Sequence, residues 1–485
     1  MKKILIAAVV LMNLTALAQD KETPSTFKKR VLENTEVDFL LSYYNQDGTH
    51  SPVSGGIGSE KLTDIASNIV VAVPLNADDV LTFDVGISTY TSASSSNINP
   101  YNATGASGGN DDDDDDDDKK YNAKATAATG PYGTPWQASS GASKSDQLAS
   151  VSVNYSHSSD NRNTLWNADV AFSNEYDYTS IGFGGGFTKL FNEKNTEISL
   201  KANAYLDQWR PIYPTELHEY ATYGANFQNN GFFSGVPILD QNGVVSKAYL
   251  PSAFTSYSNS NRNSYSASIS FSQILTKKIQ LSVFMDLLKQ EGLLATPYQR
   301  VYFADKANYY IGESQYIPVY ESSQNIGVYQ LADDKERLPS TRFKIPIGAR
   351  INFYINEYVV ARTYYRYYQD NWGIQAHTAS IELPIKINSK FTAYPLYRYY
   401  TQTASDYFAP YEQHLSTEKY YTSDYDLSKF DSNQYGLGFT YTDIFTRARI
   451  FILGLKSIDL RLNHYQRSDG LSANIASFGF KFEVQ

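Results

Sequence analysis

Between residues 279 and 287 every second side chain is apolar: Ile279, Leu281, Val283, Met285 and Leu287 alternate with Gln280, Ser282, Phe284 and Asp286. The pattern recurs where Ile198, Leu200, Ala202, Ala204 and Leu206 alternate with Ser199, Lys201, Asn203, Tyr205 and Asp207. It recurs again where Phe343, Ile345, Ile347, Ala349, Ile351 and Phe353 alternate with Arg342, Lys344, Pro346, Gly348, Arg350 and Asn352. A helix repeats every 3.6 residues, whereas a strand sends successive side chains to opposite faces, so a period of two specifies strands. The segments run for about 10 to 14 residues, long enough for a tilted strand to cross a hydrocarbon layer.

The same template along the chain predicts strands at 36–46, 62–75, 80–91, 148–159, 164–175, 177–190, 195–207, 262–275, 279–290, 341–354, 358–371, 373–386, 390–403, 434–444, 456–468 and 471–484. The fold class that follows is all-β: a transmembrane antiparallel β-barrel of about 16 strands, with 14 and 18 as the neighbouring counts that the boundaries allow. A secreted sandwich also alternates, but its strands average about 5 to 6 residues. Barrels of this kind have short turns at one end and long loops at the other. Short turns rich in Asn, Asp and Lys are expected at 76–79, 160–163, 192–195, 276–278, 356–358 and 388–390. The long extracellular connections fall at 47–61, 92–147, 208–261, 291–340 and 404–433, leaving an inner connection of middling length at 445–455. An even strand count puts both termini on the periplasmic side. The last strand, with Phe478, Phe480, Phe482 and Val484 alternating, has the aromatic character that barrel assembly machinery reads, although it ends on Gln485.

Composition narrows the setting. Met1-Lys2-Lys3 leads into an apolar run from Ile4 to Leu17 and the small residues of Ala16-Leu17-Ala18, so residues 1–18 are expected to be a cleaved signal peptide. Residues 19–35 would be a periplasmic N-terminal segment and 36–485 the barrel. With no cysteine, acylation, disulfides and thiolate metal sites are excluded. The 41 Tyr and 25 Phe favour strands and membrane boundaries. A mean hydropathy of −0.42 suits a barrel whose alternate residues face a wet lumen. The net charge of −10 argues against nucleic acid as a partner.

Chemistry-bearing residues are sparse, and they point away from an enzyme. The six histidines, at 50, 157, 218, 377, 414 and 464, form no zinc-binding spacing and read as loop and rim residues. Asp111, Asp112, Asp113, Asp114, Asp115, Asp116, Asp117 and Asp118 form one run inside a Gly/Ser/Asn-rich loop. Charge this dense is either solvated or wrapped around a hard cation such as Ca²⁺, though an ordered calcium loop spaces its ligands and turns on a glycine. On the later strands Lys344, Arg350, Arg362, Arg366, Lys386 and Arg398 all fall on the predicted lumen face, against Asp38, Asp84 and Asp169 on earlier strands. Two readings stay open: a transverse field that orients permeating solutes, or ion pairs that cross the lumen and fill it. Tyrosines crowd VVARTYYRYYQDNW (359–372) and TAYPLYRYYTQT (392–403), either as an aromatic girdle or as a stacking platform for sugar or peptide.

Two blocks carry a resemblance. SPVSGGIGSEKLTDIASNIVVAVPLNADDVLTFDVGISTYTSASSSNINP (51–100) and LPSTRFKIPIGARINFYINEYVVARTYYRYYQDNWGIQAHTASIELPIKI (338–387) resemble the two recognisable regions of a bacterial family known only as domain of unknown function 3570. The resemblance implies a Gram-negative envelope protein, with genes beside a thioredoxin-like protein, a flavin transferase and a small lipoprotein. It supplies no functional residue to carry over. The functional expectations are therefore a channel or conduit across the outer membrane, in contact with its lipid, or a scaffold whose loops dock a small lipoprotein or redox partner. An outer-membrane hydrolase is a third reading with only the fold in its favour.

Overall fold

A computed structural model of the chain describes residues 30–91, 146–320, 327–443 and 445–485. The expected signal peptide and the Asp111–Asp118 run lie outside these residues. Sixteen long strands form one antiparallel sheet: β1 Glu36–Asp47, β2 Leu62–Pro74, β3 Asp79–Tyr90, β4 Asp146–Ser158, β5 Thr164–Asn174, β6 Tyr178–Phe191, β7 Thr196–Trp209, β8 Ser260–Thr276, β9 Ile279–Gly292, β10 Thr341–Tyr354, β11 Val360–Asp370, β12 Gln375–Glu382, β13 Phe391–Gln402, β14 Phe430–Thr442, β15 Leu453–Arg467 and β16 Ser472–Val484. Each strand pairs with its neighbours in sequence, and β1 pairs with both β2 and β16, so the sheet closes into a barrel. Closure leaves no strand edge unpaired, which a spanning sheet needs in a medium that offers no hydrogen bonds.

The wall departs from the expected strands in three places. β12 breaks at Leu383-Pro384 and resumes at Ile385–Lys386 without losing register against β13. Pro384 has no N–H to donate, so the ladder lapses there. β14 begins at Phe430, four residues earlier than the apolar alternation indicates, because polar Asp431 and Asn433 stand on its outer face. β15 begins at Leu453, preceded by a short pairing of Arg449–Ile450 with its first residues.

The register separates two faces. Ile65, Val153, Phe172, Phe183, Leu200, Ile269, Val283, Ile347, Ile381, Leu437, Leu462 and Phe480, drawn from around the whole ring, point outward and are exposed. An apolar belt of this extent on a closed sheet is the surface a barrel presents to lipid. No helix among the described residues is long and apolar enough to cross a membrane, so the strands make the crossing. Apart from the longer β14–β15 connection, the inner end carries short turns, several organised by an Asn side chain that accepts backbone N–H groups, as Asn76, Asn161, Asn356 and Asn388 do. All the long connections lie at the outer end.

Candidate functional site: a loop cover above a basic lumen wall

The long outer loops are not separate projections. The first (48–61), fourth (210–259), fifth (293–340) and seventh (403–429) fold against one another into a cover with its own core. Phe227, Phe233, Ile238 and Tyr249 of the fourth loop pack with Ile311, Tyr329 and Leu331 of the fifth. A three-stranded sheet joins the same two loops, with Tyr309–Gly312 between Leu239–Asp240 and Val328–Leu331. One helix, α1 at Thr215–Tyr223, places Glu216 beneath this core.

Arg300 is the keystone of the cover. Both it and Glu216 are 0% exposed, and Arg300 Nε donates to Glu216 Oε1 at 2.8 Å. Arg300 Nη1 donates to the Val53 carbonyl of the first loop at 3.3 Å, and Glu216 Oε1 also accepts from Ala332 N at 3.2 Å. One buried charge pair thus ties three loops together. Gly55 passes so close to Tyr302 that a Cβ would lie 2.6 Å from the ring, and its φ of +75° is one that L side chains rarely adopt. The seventh loop is fastened by Tyr421 Oη donating to Asp334 at 2.6 Å, by backbone hydrogen bonds exchanged between Arg337 and Tyr421 at 3.0 and 2.7 Å, and by His50 of the first loop stacked on Tyr425 at 3.8 Å. In a ring of sixteen strands the β1–β2 and β9–β10 loops are diametrically opposite. Their contact at Arg300 and Val53 therefore carries the cover across the mouth of the barrel.

Several carboxyls are buried where these loops meet. Glu336 accepts from Thr296 N at 2.5 Å, and Asp424 faces Gln299 Nε2 at 3.4 Å. Burial pushes the Glu336 and Asp333 carboxyls up to about 7, and burial followed by the charges of Asp426 and Glu336 pushes Asp424 up to about 8. Near neutrality, then, the junction holds carboxyls poised between their neutral and charged forms.

Below the cover, the register places Lys344, Arg350, Arg362, Arg366, Lys386 and Arg398 on the inward face of β10–β13, and Asp38, Asp84 and Asp169 on the inward face of β1, β3 and β5. Most of the ion pairs run along the wall, but Arg461 of β15 also reaches Glu382 of β12 at 3.7 Å, past the two strands between them. Arg362 meets Glu382 on the next strand at 2.9 Å, Arg461 of β15 meets Asp459 at 3.1 Å, and Lys481 of β16 meets Glu36 at 2.6 Å. Arg350, Arg366 and Arg398 have no carboxylate partner among the described residues. The arginines of β10–β13 lie across the ring from Asp84 and Asp169, whereas Asp38 lies 3.8 Å from Lys481 of β16. Tyrosines of the two crowded stretches divide between faces by the same period of two: Tyr365, Tyr367, Tyr397 and Tyr399 point to lipid, and Tyr364, Tyr368, Tyr394 and Tyr400 point inward. A girdle accounts for only the outward set.

Five histidines have defined local roles. His157 pairs with Asp79 at 2.6 Å, His377 with the Tyr365 hydroxyl at 2.7 Å, His464 with Asn474 at 2.9 Å, and buried His414 with Glu418 at 2.7 Å, while His50 reaches the Gly56 carbonyl at 3.1 Å. Among the described residues no group of three or more His, Asp or Glu is placed to hold a metal. The residues that the strand pattern does not single out are Arg300, Glu216, Trp372 and Arg467. Arg467 is 5% exposed and binds Asp426 and the Tyr425 carbonyl while lying 3.8 Å from the Phe430 ring. Read in sequence, Arg300 and Glu216 look like ordinary surface polar groups within loops, and Trp372 and Arg467 like rim residues at strand ends.

Fold and site together define an antiparallel barrel of sixteen strands with an apolar outer belt, spanned at its outer mouth by interlocked loops. The chain belongs to the family described as Protein of unknown function (DUF3570), whose model matches residues 1–477. No curated protein matches the sequence. Among solved structures it is similar to a bacterial polysaccharide outer membrane secretin, at 9% identity and a TM-score of 0.41, covering 93% of this chain and 99% of that one. It is also similar to a mutant ferric enterobactin receptor of Pseudomonas aeruginosa, at 11% identity and a TM-score of 0.38, covering 90% and 54% of the two chains. A monoaromatic hydrocarbon channel, TodX, matches at 7% identity and a TM-score of 0.35, covering 94% and 91%.

Proposed function

We propose that the protein is a gated conduit across the outer membrane, taking small anionic solutes past a basic lumen wall once its loop cover loosens. The observation that carries this reading is the set of lumen arginines without a carboxylate, Arg350, Arg366 and Arg398, across the ring from Asp84 and Asp169. A transverse field of this kind orients and selects charged solutes. The closed antiparallel barrel, its apolar exterior and its short turns at one end support an outer-membrane setting.

Planar-bilayer recording tests the proposal. Wild-type protein should conduct in rare, brief events, and Arg300→Ala, which leaves Glu216 buried without its partner, should open the barrel often and with anion preference. Conductance in Arg300→Ala no greater than in wild type would remove the cover from its gating role. Anion preference unchanged when Arg350, Arg366 and Arg398 all become glutamine would remove the basic wall from selectivity.

A second reading, in which the barrel is a scaffold for a small lipoprotein or a thioredoxin-like or flavin-linked redox partner, has one observation in its favour. Val244, Val245 and Val319 are 60, 65 and 62% exposed on the outer surface of the cover, beside exposed Tyr316. Gly243 abuts Ser314, which brings the two segments together. Stoichiometric co-purification of one such partner, lost in a Val244→Ser/Val245→Ser variant, would favour the scaffold. Recovery of the barrel alone would favour the conduit.

A further inference from the structure

We propose that β10–β13 carry a binding site for a small solute bearing two or more carboxylate or phosphate groups, built from Arg350, Arg366 and Arg398. The proposal rests on the conduit reading and names the chemistry of what the conduit admits.

The register sets the site out. Arg350, Tyr364, Ser380 and Arg398 occupy one row on four neighbouring strands, and Arg366 stands in the next row toward the outer end, level with Thr378 and Tyr400. The row spans three strand spacings, roughly 14 Å. Thr378, 2% exposed, and Ser380 are the small hydroxyl residues that lie between the arginines along β12. The next row toward the inner end ends the site, because Glu382 there is taken up by Arg362 at 2.9 Å and Arg461 at 3.7 Å.

The three guanidiniums differ from their neighbours in lacking counter-charges. Arg342 has Asp370, and Arg362 and Arg461 share Glu382. Arg350, Arg366 and Arg398 have no hydrogen-bond or ion-pair partner among the described residues, and Arg366 Nε is buried with nothing to accept its proton. A buried donor left without an acceptor is costly, so Arg366 suits an acceptor that arrives from outside the wall. Arg350 is held in advance, with its guanidinium carbon 5.3 Å from the Phe284 ring and 5.5 Å from the Tyr364 ring. Phe284 can lie there only because residue 348 is glycine, since a Cβ would sit 2.3 Å from the ring. Arg366 and Tyr400 stand level on either side of Thr378, and Arg398 lies one row further in on the strand of Tyr400. The choice of arginine fits oxyanions, because a planar fork of donors matches a carboxylate or phosphate in a way an ammonium cannot.

Calorimetric titration of the purified protein with citrate and with inorganic pyrophosphate, at constant ionic strength and with chloride as the reference salt, tests the site. Wild type should bind at least one of the two saturably at one per chain; citrate alone would mark a carboxylate site and pyrophosphate alone a phosphate site. The variant Arg350→Lys/Arg366→Lys/Arg398→Lys keeps every charge, so the lumen field persists while the fork geometry is lost, and its affinity should fall at least tenfold. Heat-modifiable migration on gels checks that this variant still forms the barrel. No saturable binding by wild type, or equal binding by the lysine variant, would overturn the site. Wild-type protein that conducts anions selectively but binds neither probe sinks the site and leaves the conduit standing. Binding without conductance, even when Arg300→Ala loosens the cover, does the reverse.

Discussion

A single arginine decides how firmly the cover is held. Arg300 and Glu216 are both fully buried, and removing one partner of such a pair leaves the other charge uncompensated at a cost of about 3–5 kcal/mol. Replacing both by apolar residues of similar volume removes that penalty, and in other proteins has proved neutral or stabilising. Arg300→Met alone should therefore raise amide exchange sharply across 210–259 and 293–340, while Arg300→Met/Glu216→Leu should recover most of the protection. Hydrogen exchange read by mass spectrometry checks both. Exchange in the double variant as fast as in the single one would show that the link to Val53 matters more than the charge pair. Phe233, fully buried among the aromatic residues of the fourth loop, gives a second handle: Phe233→Ala should destabilise the cover by about 3–5 kcal/mol and leave the barrel strands protected.

At the scale of elements, the junction of the fifth and seventh loops should respond to pH. Asp333, Glu336 and Asp424 are raised by burial to about 7, 7 and 8, against roughly 4 for carboxyls in an unfolded chain. Because the folded form holds its protons more tightly, the stability these groups contribute is fully present below about pH 4. It is lost as the pH rises through 7 to 8. Protease cleavage within 293–340 should therefore be slow at pH 6 and faster at pH 8.5, and Asp424→Asn should flatten that dependence. An unchanged slope in Asp424→Asn would assign the effect elsewhere. The elements themselves were unequally legible. Strands such as β7, β9 and β10 can be read from alternation because lipid and lumen sort side chains residue by residue. The breaks at Pro384 and Phe430 were legible only in part, since Pro384 is a visible interruption whereas Asp431 on an outer face hides a strand. The cover was not legible at all. Its contacts join segments far apart in sequence, and residues such as Glu216, Arg300 and Gln330, all 0% exposed, have the composition of a surface.

For the whole molecule, the two faces of the wall should tolerate charge differently. Leu200 faces lipid and Ser268 faces the lumen on adjacent strands. Leu200→Arg should cost about 2–4 kcal/mol near the bilayer midplane, and Ser268→Arg should be accepted. Urea refolding into lipid vesicles compares the two, and equal losses would show that the inward face is packed as tightly as a core. Alternation sets which of the lumen residues share a face, but their pairing is not a property of the pattern. The same alternation that points Arg362 and Arg366 inward says nothing of why one finds Glu382 and the other finds no carboxylate. Closure of the ring has a further consequence for the order of assembly. Val53 and Arg300 are 247 residues apart along the chain and sit on opposite sides of the ring, so they can meet only after β1 has joined β16. The lid is thus a late event in the life of each molecule. A nascent barrel passes through a stage at which its seam is sealed and its bore still open to the outside, and resistance to external protease should appear as a separate, slower step after the strands have inserted.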